Sequence, residues 1–199
     1  MTKSEILAMF VAKNDIRSYL MKPALIGEYV YASNGHWIVR IPAAEAQAEA
    51  CESESFIKNA PAVFEKAKQE NFIPLPAQPE PVKCHHCKGT GMGTGGDCES
   101  CEGDGEFYHH DHYYECKSCD GDGCTFQFTR DGKDECPYCD GSGYEIGRDS
   151  TIAFGDSSYA SRYLYRLSLL PGIEIATAGD AAARFRFEGI EGLLMPVRA

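Results

Sequence analysis

Eight cysteines in four copies of one phrase are the residues of this chain that could do chemistry: Cys84-His-His-Cys87-Lys-Gly-Thr-Gly, Cys98-Glu-Ser-Cys101-Glu-Gly-Asp-Gly, Cys116-Lys-Ser-Cys119-Asp-Gly-Asp-Gly and Cys136-Pro-Tyr-Cys139-Asp-Gly-Ser-Gly. Each reads C-x-x-C-x-G-x-G. A C-x-x-C pair presents two thiolates on one tight turn, and two pairs complete the closed four-thiolate shell of a structural zinc ion. Eight cysteines therefore imply two Zn2+. The glycines reach positive φ and let backbone N–H groups approach the sulfurs. A disulfide framework is the competing reading, but no secretory signal precedes the repeats, and C-x-x-C without one points to metal or redox use.

The stretch from Cys84 to Gly143 contains no Leu, Ile, Val or Ala. It cannot bury an aliphatic core that offsets the entropy of ordering it. Structural zinc supplies roughly 10–16 kcal/mol, enough to fold such a segment and to leave it unfolded when chelated. The same stretch holds 13 Asp and Glu against 4 Lys and Arg, so it carries −9 of the chain's net −11. Such a field repels phosphate backbones and suits either a solvated surface or a basic partner.

Other residues with chemical potential are fewer. His109, His110 and His112 stand between the second and third repeats in Glu106-Phe-Tyr-His-His-Asp-His-Tyr-Tyr-Glu115, read as an exposed hairpin tip, with a third metal as the alternative. Phe107, Tyr108, Tyr113, Tyr114, Phe126 and Phe128 exceed what a coreless module needs and are candidates for a peptide-binding surface. Cys51 reads as a small core residue and Cys124 as a spectator to the zinc shells. There is no nucleophile elbow, no Walker-type loop and no H-E-x-x-H, so a non-catalytic protein is expected.

The flanks must position this module. At 43% apolar, 199 residues can build one proper core. Thr2 to Lys13 reads as a helix with a Thr2/Glu5 capping box, Ile16 to Ile26 as a strand-like run broken at Pro23, and Glu28 to Pro42 as a hairpin turning at Asn34-Gly35. Residues 43–55 read as partly helical, and a helix is expected from Pro61 to Gln69. Four prolines between 74 and 81 mark a stiff boundary. After the module, Tyr144 to Phe154 reads as a strand, Asp156-Ser157-Ser158 as a helix cap, and Tyr159 to Leu170 as a helix stopped by Pro171-Gly172. Three strands finish the chain, with turns at Ala178-Gly179-Asp180 and Glu188-Gly189. The expected fold is α+β: one helix-and-sheet domain, residues 1–76 and 144–199, interrupted by an extended, loop- and hairpin-rich two-zinc module over 77–143. No signal peptide or membrane span is read, so a cytoplasmic protein is expected, in the host cytoplasm if phage-encoded.

The four phrases resemble the cysteine-rich domain of DnaJ-type co-chaperones over about 60 residues. The resemblance implies that the first and fourth repeats share one zinc, held by Cys84, Cys87, Cys136 and Cys139. It likewise implies that the second and third share the other, held by Cys98, Cys101, Cys116 and Cys119. The chain has no His-Pro-Asp tripeptide, so stimulation of a partner ATPase is not implied. Tyr31-Ala-Ser-Asn-Gly-His-Trp-Ile-Val-Arg40 is similar to the A-T-D-G-H-R-L motif of bacterial sliding clamps, the polymerase III β subunit, with Ser33 and Asn34 where the motif has Thr and Asp. Gly192-Leu-Leu-Met-Pro-Val-Arg198 is similar to the close of a clamp domain. That resemblance implies a single clamp-like domain, able to close a ring only by assembling, with Arg162, Arg166, Lys13 and Arg17 at DNA-facing positions. Together the readings give a zinc-binding accessory protein that grips a protein partner in phage or mobile-element DNA replication or repair. A holdase or thiol-active chaperone for unfolded chains, and an acidic inhibitor of a host nucleic-acid enzyme, are the alternatives.

Overall fold

Helix α1 (Lys3–Phe10) starts where its sequence signals it: the Thr2 hydroxyl accepts the Glu5 amide at 3.2 Å, and the Glu5 carboxylate accepts the Thr2 amide at 2.7 Å. Two orphan donors of the first turn are thereby satisfied. Ile6, Leu7 and Phe10 are buried, each worth roughly 1.5–3 kcal/mol of transfer free energy. The computed structural model describes residues 2–12, 15–139, 141–145, 151–177, 179 and 181–197. Lys13, Arg198 and two residues of the expected turn at 178–180 lie outside them. The chain divides into two compact units, Met1–Pro81 with Arg148–Ala199, and Val82–Gly147.

The first unit is built on one antiparallel sheet of seven strands. Strands β1 (Ala24–Ile26), β2 (Tyr29–Ser33) and β3 (Trp37–Pro42) form a meander. Asn34 organises the β2–β3 turn by accepting the amides of His36 and Trp37 at 3.0 and 3.2 Å, and Gly35 takes φ +88°. The run expected as a strand from Ile16 is strand only at β1. An Asp15–Arg17 turn, with Ile16 fully exposed, is followed by a short 3₁₀ turn over Ser18–Leu20.

Helix α2 (Glu54–Lys66) corrects two expectations. Residues 43–53 are not helical, and Pro61 lies inside the helix rather than at its start. The Ser53 hydroxyl accepts the Phe56 amide and so fixes the first turn. An interior proline costs about 3 kcal/mol. Phe56, Ala60 and Phe64, spaced i, i+4, i+8, bury one stripe that offsets it. Strand β4 (Ile73–Pro74) is the sheet's far edge.

In the returning flank, strands β10 (Thr151–Phe154) and β11 (Ser157–Ala160) form a hairpin, with Gly155 at φ +63°. Asp156-Ser157-Ser158 therefore turns and begins a strand instead of capping a helix. Helix α3 (Ser161–Ser168) starts after it, with no side-chain cap on Ala160. Of the strand expected over 144–154, residues 146–150 lie outside the described residues. Strands β12 (Glu174–Ala176), β13 (Ala183–Phe187) and β14 (Ile190–Leu194) complete the sheet in the order β1-β2-β3-β14-β13-β12-β4.

The two flanks meet at β3 and β14, where Val39 stands opposite Gly192 and Arg40 opposite Glu191. Gly192 is required there, because a Cβ would lie 2.1 Å from the Phe185 ring. Period-two alternation sends Val30, Ala32, Trp37, Val39, Phe185 and Leu194 to one face, under α1 and α3. Tyr31, Ile38 and Leu193 go to the other, under α2. The unit is an α+β fold with helices on both faces of its sheet. No described helix is long and apolar enough to cross a membrane.

The second unit has little regular structure: strand β5 (Met92–Asp97) pairs with β8 (Cys124–Gln127) and β9 (Asp134–Glu135), and β6 (Glu106–His109) pairs with β7 (His112–Glu115). Its only buried clusters among the described residues are two groups of four cysteines.

Candidate metal centres

The four repeats fold alike. The residue after the second cysteine has positive φ in Lys88, Glu102 and Asp120, and both glycines of every copy follow at φ between +65° and +93°. This left-handed run curls the chain so that the second glycine's amide points back at the second cysteine. Gly91, Gly105, Gly123 and Gly143 donate to Cys87, Cys101, Cys119 and Cys139 Sγ at 3.2, 3.2, 3.3 and 3.3 Å. These are the charge-offsetting donors that the glycine spacing is for.

The knuckles then dock in pairs. Cys84 Sγ lies 3.9 Å from Cys136 Sγ and Cys87 Sγ 3.7 Å from Cys139 Sγ. In the second cluster, Cys98 lies 3.8 Å from Cys116 and Cys101 3.8 Å from Cys119. Within each group all four sulfurs are within 4.8 Å of one another, and all are buried. Sulfurs held about 2.3 Å from a tetrahedral zinc stand about 3.8 Å apart along each edge. These separations fit that shell and are nearly twice a disulfide bond. The chain has two metal sites, one shared by the first and fourth repeats and one by the second and third, each suited to Zn2+.

Backbone bonds repeat the pairing. Cys84 and Cys136 donate their amides to the Gly143 and Gly91 carbonyls at 2.9 and 2.8 Å, and Cys98 and Cys116 donate to Gly123 and Gly105 at 2.9 and 2.8 Å. Partner glycines cross so closely that a Cβ on Gly91, Gly105, Gly123 or Gly143 would lie 2.3–2.4 Å from the other knuckle's glycine carbonyl. Each site is thus two copies of one turn related by a local two-fold.

The thiols are not electrostatically equal. Burial pushes the Cys119 thiol up to about 12 and raises Cys136 as well. Burial opposes ionisation of Cys87 and Cys98 too, but amide donors, from Gly91 and Gly89 and from Cys101 and Ser100, outweigh it and hold both at about 7. Four thiolates in such a space need a cation, which a divalent metal supplies.

The surroundings of the sites differ, which the repeat pattern does not reveal. At site one the third residues of the knuckles, His86 and Tyr138, stack at 3.6 Å between ring centroids, and Phe126 packs on the cysteines. At site two the same positions hold Ser100 and Ser118, and with Asp97, Cys98 and Glu99 they line an open polar cleft of about 540 Å3. The signal was present in the sequence as two aromatic residues against two serines at one repeat position.

The aromatic candidates fall into two sets. Phe107, Tyr108, Tyr113 and Tyr114 are all exposed on the β6–β7 hairpin, paired Phe107 with Tyr114 and Tyr108 with Tyr113. Phe126 lies against site one, and Phe128 lies under the Lys88 ammonium at 4.9 Å. His109, His110 and His112 ring the hairpin tip, where His110 and Asp111 take φ +47° and +60°. Metal-ligating clusters of three or more among the described residues comprise the two cysteine groups and no histidine. Cys124 pairs with Asp97 in the β5–β8 ladder, and Cys51 sits beside the α2 core.

Of the basic candidates, Arg162 and Arg166 lie on α3 and Arg17 in the turn after α1. The Arg162 guanidinium lies over the Tyr163 ring at 4.8 Å, and Arg166 follows one turn on, half-buried. Arg17 is held by both oxygens of Asp15. On the sheet unit, sequence reasoning also missed a largely apolar pocket of about 190 Å3 between β3 and α2, lined by Leu20, Ile38, Phe56, Ala60 and Val63 with Arg17 among its polar lining.

These features define the class: an α+β protein with a second compact unit that carries two four-cysteine metal sites suited to zinc. No protein-family model matches the chain, and no curated protein sequence matches it. Among solved structures it is similar to a C. crescentus beta sliding clamp, with 12% identity and a TM-score of 0.36, over 100% of this chain and 65% of that one. The chain therefore spans less than two thirds of the clamp's length.

Proposed function

We propose that this chain is a non-catalytic interaction protein whose zinc-folded unit presents the β6–β7 hairpin to a protein partner. One observation carries the reading: all eight strand residues of that hairpin are exposed, four of them aromatic. A bare two-stranded hairpin is marginal in water. This one is anchored at its base, because Gly105 and Cys116, which flank it, belong to the knuckles of site two and are joined by a 2.8 Å backbone bond. Zinc at site two thus acts as the staple that holds an aromatic surface out in solvent. Four cysteines fill each tetrahedral shell and leave no open position for metal catalysis. A role in phage or mobile-element DNA replication or repair rests on the clamp-like Tyr31–Arg40 sequence.

The test is site-specific photo-crosslinking in the cells of origin, with a benzophenone amino acid at Tyr114 and, as comparison, at exposed Lys68 of the sheet unit. The reading expects one or a few discrete adducts from position 114. Adducts from position 68 alone would overturn it. The exposed aromatics also favour a holdase reading, for which a broad smear of adducts and suppressed aggregation of a model substrate are the signature.

A further inference from the structure

The hairpin has two unlike faces. Residues directly opposite in an antiparallel pair share a face, which places Phe107, Tyr114, His109 and His112 on one side and Glu106, Tyr108, Tyr113 and Glu115 on the other. On the second side the Tyr108 and Tyr113 rings lie 5.0 Å apart, tilted by 51°, and are 62% and 69% exposed. Glu106 and Glu115 stand opposite each other at the stem, a like-charge pair that works against the hairpin. At the tip, the Tyr108 hydroxyl donates to the Asp111 carboxylate at 2.8 Å. Two ring faces are therefore framed by three carboxylates. Lys117, 3.3 Å from Glu115, is the base that partly offsets them.

An apolar partner accounts for the rings but would have to desolvate the carboxylates without pairing them. A nucleic acid accounts for the rings too, but is repelled by the −9 of this stretch. A cation satisfies both, since it is attracted to tyrosine faces and to carboxylates alike. We infer that this face binds an exposed, arginine-bearing cationic segment of the partner protein, with a guanidinium against Tyr108 and Tyr113 and its N–H groups donating to Glu106 and Glu115. Arginine suits it better than lysine because a planar fork stacks on a ring while donating sideways. Binding also relieves the Glu106–Glu115 repulsion, so the segment stabilises the surface it docks on. The inference rests on the proposed function above, in that it takes the hairpin to be the contact.

The experiment is fluorescence anisotropy of a labelled ten-residue peptide alternating Arg and Gly, titrated with the zinc-loaded full chain, beside the same peptide with Lys or Gln for Arg. Binding in the order Arg, then Lys, with none for Gln is expected. Y108L/Y113L and E106Q/E115Q should each weaken the Arg peptide about tenfold, with both zinc ions retained. D131N/E135Q, which removes the same charge at exposed positions outside the hairpin and outside the knuckles of site two, should change it less than twofold. Equal losses from both charge pairs would reduce the effect to bulk attraction and overturn the inference, as would no binding by the wild-type chain. In that last case discrete adducts from position 114 would still uphold the hairpin as the contact, so the two readings fail separately.

Discussion

The Cys84 amide donates to the Gly143 carbonyl at 2.9 Å, and its mirror, from Cys136 to Gly91, is 2.8 Å. The first knuckle is thus closed by the last, across most of the zinc unit's sequence. Gly91→Ala should break this junction, because its Cβ would lie 2.3 Å from the Gly141 carbonyl, and Gly91 already sits at φ +75°. Gly96→Ala, with nothing within 4 Å of the added carbon, is the control. Elemental analysis is expected to find one zinc per chain in G91A and two in G96A.

Chelation should separate the two units. Val82–Gly147 has only its cysteine clusters as buried core among the described residues, whereas the sheet unit packs Phe10, Trp37, Tyr163 and Phe185 together. A strong chelator with reductant should abolish amide protection from 82 to 145 and leave that of β3, β13 and β14 unchanged. Hydrogen exchange by mass spectrometry reads both at once. Global loss of protection would contradict it.

The two zinc ions should leave at different rates. The knuckles of site one carry the His86–Tyr138 stack, while site two borders the cleft beside Ser100 and Ser118. A colorimetric chelator should give two phases, with site two first. H86A/Y138A should speed the slow phase several-fold without altering the fast one. A single phase in the wild-type chain would show that the stack shields nothing.

In the sheet unit, Glu191 bonds Arg40 at 2.6 Å on one oxygen and Arg184 at 2.9 Å on the other. Burial works against its ionisation, but the two guanidinium groups outweigh it and hold the carboxyl below its ordinary range. A depressed folded-state pKa contributes stability that is present above the unfolded value, about 4.3, and is lost as pH falls through the folded one. Glu191→Gln should cost roughly 1–2 kcal/mol at pH 7 and flatten the acid limb of the stability profile. Urea unfolding of the sheet unit at pH 7 and pH 3.5 measures both.

Legibility followed the strength of local signals. The Thr2/Glu5 cap, the Asn34 turn, the alternation of Ala183, Phe185 and Phe187, and the C-x-x-C-x-G-x-G period each rest on contacts a few residues apart, and each forms where its pattern lies. Pro61 misled because proline favours a helix start, while the buried stripe of Phe56, Ala60 and Phe64 extends the helix through it. Asp156 to Ser158 misled because cap residues are also turn residues, and β10 was there to pair. The β3–β14 junction, the polar cleft at site two and the two faces of the hairpin depend on long-range docking, which periodicity does not encode. The pairing of knuckles came only from a family resemblance, since spacing alone allows every combination of two pairs.

The pairing is the centre of the account, and zinc counting in double mutants tests it most directly. The wild-type chain should hold two zinc ions by native mass spectrometry. C84S/C136S, which removes two ligands from one site, should retain one. C84S/C98S, which removes one ligand from each, should lose or weaken both. A wild-type chain with well under two zinc ions, or a C84S/C136S chain as depleted as C84S/C98S, would contradict it.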